Sequence, residues 1–161
     1  VGTTFKFEIK YKRAGSADVT VNSLLEANVL ANEDISWLNI LVAEDNAMNI
    51  LLMKKLVASW DIKADFALNG LEAYEMAKEK FYDIILMDIM MPEMDGFQTL
   101  KNIRSNTDLG GIPIYAVTAK AMVGDKEIIL KHGFNDYIPK PVNSTIISSK
   151  IAQLFSKIKS N

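Results

Sequence analysis

Three acids, a hydroxyl and an ammonium carry the chemistry open to this sequence. Asp88 closes the apolar run at 84–87 within IILMDIMMPEMDG, and Glu44 and Asp45 follow a second run, ILVA at 40–43. Thr118 ends IPIYAVT, and Lys140 stands before Pro141 in DYIPKP. Each alone has a bland reading: an Asp before a Pro and a Gly is a turn or cap residue, a Thr after a strand is a cap, and a Lys is solvated. Their combination changes the balance. Carboxylates gathered at one place repel, and a bound divalent metal is the simplest way to hold them there. A hydroxyl and an ammonium beside such a cluster make a metal site with a nucleophile and a charge neutraliser.

The elements that must position these groups follow from the apolar pattern. Short runs bounded by turn residues predict buried strands at 39–44, 62–67, 81–88, 112–118 and 135–138. Between them, apolar residues at helical spacing predict helices at 46–59, 71–80, 96–105, 121–132 and 143–158. Five strands alternating with five helices predict an α/β fold, a doubly wound parallel sheet with right-handed crossovers. The common strand order for such a sheet is 2-1-3-4-5, which sets the first and third strands side by side. Glu44, Asp45 and Asp88 then share one crevice at the carboxyl edge, with Thr118 and Lys140 along the same rim.

Composition excludes several other classes. The chain has 161 residues, 49% hydrophobic, enough for one globular domain of ordinary size plus some extra. With a net charge of -2 and no block of Lys or Arg, a nucleic-acid footprint is not expected. The absence of cysteine removes disulfides, thiol catalysis and Cys-based zinc sites. No apolar run approaches the roughly 20 residues that span a bilayer, and no signal-peptide pattern opens the chain, so membrane contact by this segment is not expected and a cytoplasmic location is. A chain starting at Val1 rather than Met reads as excised from a longer one, whose upstream part could carry a membrane anchor.

The motifs resemble the receiver domain of two-component response regulators over residues 38 to about 157. The resemblance rests on the acidic pair in ILVAEDN, the acceptor in IILMDIMMPEMDG, the VTA after the fourth strand and DYIPKP after the fifth, in correct order. It implies a flavodoxin-like (βα)5 fold and a phosphoacceptor switch in a phosphorelay. Asp88 would take a phosphoryl group from a phosphohistidine, so the implied partner is a histidine kinase or a histidine phosphotransfer domain, in cis or in trans. Mg2+ would be the cofactor, bound directly by Asp45 and Asp88, through its backbone carbonyl by Met90, and directly or through water by Glu44. Lys140 and Thr118 would each meet a phosphate oxygen. Such a domain catalyses its own phosphorylation and dephosphorylation. Tyr137 matches the family's aromatic that fills the space left by the threonine, although a core-edge ring is an equal reading. The readout face would be 121–132, 135–138 and 143–158.

Other residues read more plainly. Asn46 reads as a helix cap rather than as a group that steadies the acids from behind. The single histidine, His132, stands in the last turn of a helix before Gly133, where a cation is favoured; it does not read as a phosphodonor. Met87, Met90, Met91 and Met94 read as core and loop packing, not as ligands of a soft metal.

Residues 1–12 alternate like a strand with one wet face, and GTTFKFEIKYK resembles the closing strand of the ATP-binding domain of sensor histidine kinases. That resemblance implies three parts: a residual kinase strand at 1–12, a linker at 13–36 and a receiver at 37–161, the receiver of a hybrid histidine kinase. One strand carries no kinase core. The rival reading is a phosphorylation-independent docking domain of the same fold, which a missing acid, threonine or lysine would favour; none is missing. A phosphoaspartate phosphatase needs an acid two residues after the nucleophile, where Met90 stands. A flavodoxin needs a Ser/Thr/Gly-rich loop where this chain has EDNAMN.

Overall fold

The computed structural model of the chain describes residues 35–119 and 125–159. The strand expected at 2–12 and all but the end of the expected linker lie outside the described residues. Five strands, β1 (Asn39–Ala43), β2 (Lys63–Ala67), β3 (Ile84–Asp88), β4 (Ile114–Thr118) and β5 (Asp136–Pro139), form one parallel sheet in the order β2-β1-β3-β4-β5. Among the described residues, five helices join and follow them: α1 (Ala47–Ala58), α2 (Gly70–Glu79), α3 (Gly96–Ser105), α4 (Asp125–Lys131) and α5 (Ser144–Lys159). The expected fold and strand order are the ones observed.

The sheet is covered on both faces, which is why its inner strands are apolar over most of their length. One face of the sheet, including Ile40, Val42, Ile84, Leu86 and Ile138, packs with Met53 and Val57 of α1 and Ile147 and Ile151 of α5. The opposite face, including Leu41, Ile85, Met87 and Ala116, packs with Ala73 and Ala77 of α2, Leu100 and Ile103 of α3 and Ile129 of α4. Every residue of β3 and β4 is buried. A rigid frame therefore stands behind the carboxyl ends of β1, β3 and β4.

Side-chain caps set where the helices begin. The Asn46 side chain accepts from the Met48 and Asn49 amides at 2.9 and 3.2 Å, so α1 starts one residue later than its apolar stripe suggested. Asn69 accepts from Glu72 N at 2.8 Å while the Glu72 carboxylate accepts from Leu68 N, one residue before the cap, at 2.6 Å, a variant of the capping box that fixes the entry to α2. Asp95 caps α3 and Asn143 caps α5 in the same way.

Several boundaries differ from the sequence expectation. β3 starts at Ile84 rather than 81, because Phe81 lies on the surface, Tyr82 gives its hydroxyl to Asp65 at 2.8 Å and Asp83 accepts from Asn39 N at 2.8 Å. β4 starts at Ile114: Pro113 offers no amide and pairs only through its carbonyl, which accepts from Ile85 N. β5 runs one residue later than expected, to Pro139. Of the helix expected at 121–132, the described part is Asp125–Lys131. Ile35, inside the stretch read as linker, is buried in the core, and Trp37 meets Phe155 of α5 with ring centroids 6.1 Å apart.

Candidate functional site

Four strand ends deliver the chemistry-bearing groups. Glu44 and Asp45 follow β1, Asp88 ends β3, Thr118 ends β4 and Lys140 follows β5. Register explains their proximity: Ala43 pairs with Met87, Asp88 with Val117, and Thr118 with Pro139. Glu44, Asp88, Thr118 and Lys140 are thus each the next residue, or the last one, in a row of neighbours across the sheet, and Asp45 stands one residue beyond Glu44. The Lys140 amide donates to the Thr118 carbonyl at 2.8 Å, carrying the β4–β5 pairing one residue beyond the strand. The Lys140–Pro141 peptide is cis.

Carboxylate oxygens of Glu44, Asp45 and Asp88 lie within 4.8 Å of one another. Glu44 and Asp88 are buried, whereas Asp45 is exposed, so the cluster has a closed floor and an open mouth. Lys140 holds the floor together. Its ammonium stands 2.6 Å from Asp88 Oδ2 and 2.7 Å from Glu44 Oε2, bridging two acids that would otherwise repel. Burial alone would push the Lys140 ammonium toward neutrality; hydrogen bonds to Asp88 and Glu44, and their charges, outweigh it and raise its pKa above the ordinary value.

The second oxygen of each buried acid is also engaged. Asp88 Oδ1 accepts from the Met90 amide at 3.0 Å, while the Met90 side chain is exposed. Glu44 Oε1 accepts from Asn46 N at 3.2 Å and from Asn49 Nδ2 at 2.9 Å. Asn49 escaped the sequence reading; its place one turn into the helix that follows the acidic pair was the available signal. Asn46 proves to do two things, capping α1 through its side chain and orienting Glu44 through its amide. Thr118 is buried at the end of β4. His132 lies elsewhere, its ring Nδ1 against the Ile128 carbonyl and its face near Phe97, with centroids 4.7 Å apart.

Residues 40–152 match the family model described as the response regulator receiver domain. The chain belongs to that family. Among curated relatives of this receiver domain, the polar-differentiation response regulator DivK of Brucella anthropi is 39% identical over 105 residues, covering 65% of this chain and 85% of that one. Among solved structures, the receiver domain of a sensor histidine kinase from Pseudomonas aeruginosa PAO1 shares 34% identity at a TM-score of 0.65. That comparison covers 72% of this chain and 94% of the other, which was solved with a magnesium ion coordinated in its active-site cleft. The co-crystal structure of a Saccharomyces cerevisiae histidine phosphotransfer protein and the receiver domain of its downstream response regulator matches at 32% identity and a TM-score of 0.68, covering 73% of this chain and 88% of the other. This chain is accordingly a phosphoacceptor switch of the two-component type. No helix among the described residues is long and apolar enough to cross a membrane.

Proposed function

We propose that Asp88 is the phosphoacceptor and that it receives its phosphoryl group from the phosphohistidine of a histidine kinase or a histidine phosphotransfer domain. The observation that carries this reading is the Lys140 ammonium shared between Asp88 and Glu44, with Asp45 open to solvent beside them. A carboxylate fixed by an ammonium and by the Met90 amide is aimed and ready to attack an incoming phosphorus atom. In the transfer, a carboxylate oxygen of Asp88 forms the new bond to phosphorus while the donor's N–P bond breaks, and the electron pair leaves with the imidazole.

The donor set suits Mg2+. Three carboxylates and no softer ligand make a cluster for a hard ion that prefers oxygen and keeps several waters. Glu44, Asp45 and Asp88 would hold the ion, with the backbone carbonyl of Met90 completing the protein's share. Bound there, it would neutralise charge on the transferring phosphoryl oxygens. Lys140 supplies a second positive charge from the end of β5, and Thr118 a hydroxyl that donates to a phosphoryl oxygen. Drawn toward that oxygen, Thr118 leaves room that Tyr137 fills, and α4, β5 and α5 report the change.

A donor must reach Asp88 over the mouth where Asp45 lies, and α1 starts at that rim. Met48, Leu51 and Leu52 on α1 are 73%, 48% and 38% exposed, an apolar strip suited to a helical partner. We read residues 1–12 as the end of a kinase ATP-binding domain, which would place one donor in the same polypeptide. With Mg2+ and acetyl phosphate, the protein should gain one phosphoryl mass that Asp88→Asn abolishes. No adduct under saturating donor would overturn the assignment in favour of a docking domain.

A further inference from the structure

We propose that Lys150 is a positioning residue for Tyr137, holding its ring at the outer edge of the sheet and opposing its movement toward Thr118. The proposal rests on the reading of Asp88, Thr118 and Tyr137 given above and adds to it a restraint supplied by α5.

The geometry begins with the strand order. β5 is the last strand of the sheet, so its outer side has no strand partner among the described residues. Lys150 belongs to α5, which covers one face, while Tyr137 packs with the core of the other face. The Lys150 ammonium crosses that edge. It pairs with Asp136 Oδ2 and lies 5.9 Å from the centroid of the Tyr137 ring. Asp136 Oδ1 accepts from the Tyr137 amide at 2.8 Å, so one carboxylate ties both the cation and the backbone that carries the ring.

The pair is stronger than a solvated one. Side-chain exposure is 23% for Lys150 and 22% for Asp136, which limits screening and fixes the ammonium beside the ring. The path it guards is visible in the register. Tyr137 stands opposite Ala116, and Ala116 is two residues before Thr118 on the same face of β4. A ring turning inward from the edge therefore passes over a single methyl group to reach the threonine. A lysine over an edge strand also discourages pairing with other chains. That role alone would leave the acceptor site indifferent to Lys150, and the test separates the two.

Beryllofluoride, a tetrahedral stand-in for a phosphoryl group on a carboxylate, is titrated with excess Mg2+ into the full chain by calorimetry. The variants are Lys150→Met, Asp136→Asn, Tyr137→Ala and the Lys150→Met/Tyr137→Ala double. Releasing the ring should tighten binding about two- to fivefold in Lys150→Met, the scale of a partly shielded cation over an aromatic face. Asp136→Asn, which frees the same ammonium without removing it, should shift binding in the same direction. With Tyr137→Ala in the background, Lys150→Met should change nothing. Unchanged affinity in both Lys150→Met and Asp136→Asn, or a gain that persists without the ring, overturns the proposal while leaving the acceptor reading intact. A wild-type protein that fails to bind beryllofluoride overturns the acceptor reading and this proposal with it.

Discussion

Replacing Gly96 by Ala should damage both the fold and the acceptor, and the size of the effect follows from two distances. Gly96 opens α3, and a Cβ there would stand 2.5 Å from the carbonyl oxygen of Asp88 and 2.9 Å from Cα of Ile89. The closer contact falls about 0.9 Å short of the 3.4 Å at which ordinary van der Waals contact begins. Both neighbours are backbone, so no rotamer change relieves the clash; the turn after β3 must open instead. That movement also stretches the hydrogen bond from the Gly96 amide to the Ile89 carbonyl, now 3.0 Å. Overpacking of this kind costs about 1–3 kcal/mol, and the lower chain entropy of Ala in the unfolded state returns about 0.4–1 kcal/mol. A net loss of about 1–2 kcal/mol is expected, a fall in Tm of roughly 3–10 °C for a domain of this size. Gly111→Ala is the control, because a Cβ there meets nothing within 4 Å. Urea unfolding followed by circular dichroism gives both stabilities, and acetyl phosphate gives the phosphorylation rate of the folded protein. The crowded oxygen is the main-chain carbonyl of Asp88, the proposed acceptor, so a shift of that backbone should lower the rate as well. A Gly96→Ala protein as stable as the Gly111→Ala control would refute the packing argument.

Two further predictions follow from the site and its surroundings. Because folding raises the Lys140 pKa, the stability that this ammonium contributes is fully present below its ordinary value of 10.5 and is lost as pH rises through the higher folded value. Thermal melts from pH 8 to 12 should therefore show an alkaline decline that is shallower in Lys140→Met. Leu51→Asp should slow transfer from a phosphohistidine donor by tenfold or more while leaving acetyl phosphate reactivity unchanged. At 48% exposure its effect on stability should stay within about 0.5 kcal/mol.

Much of the architecture was legible because the inner strands of a parallel sheet announce themselves. ILVA and IILM are apolar at every position, as burial on two faces requires, and both became strands within a residue or so of the expected span at their carboxyl ends. Amino-terminal boundaries were less legible. The apolar pattern alone drew β3 and β4 too long, since Tyr82 and Ile112 are buried without belonging to a strand. Helix starts depended on side-chain oxygens at Asn46 and Asn69 rather than on the stripe of apolar residues. Ile35 looked like linker because a single apolar residue in a polar stretch has no periodicity to declare it.

The gathering of the candidate groups at one rim was legible, and their wiring less so. Position at the carboxyl ends of strands predicted that Glu44, Asp45, Asp88, Thr118 and Lys140 would line one rim. Position could not say that Lys140 would divide itself between Asp88 and Glu44, or that Asn49 would steady the latter. Those contacts depend on side-chain reach across the crevice, which the order of residues does not encode locally.

The bond between Lys140 and Asp88 joins positions 52 apart in the chain, and no two of the strands that bring the acids, the hydroxyl and the ammonium follow one another without an intervening helix. No short fragment can therefore carry the chemistry, and a polypeptide still emerging from the ribosome lacks the ammonium until its fifth strand has been made. Signalling competence should thus appear in one step once that strand is in place, so that half-built copies draw no phosphate from the relay.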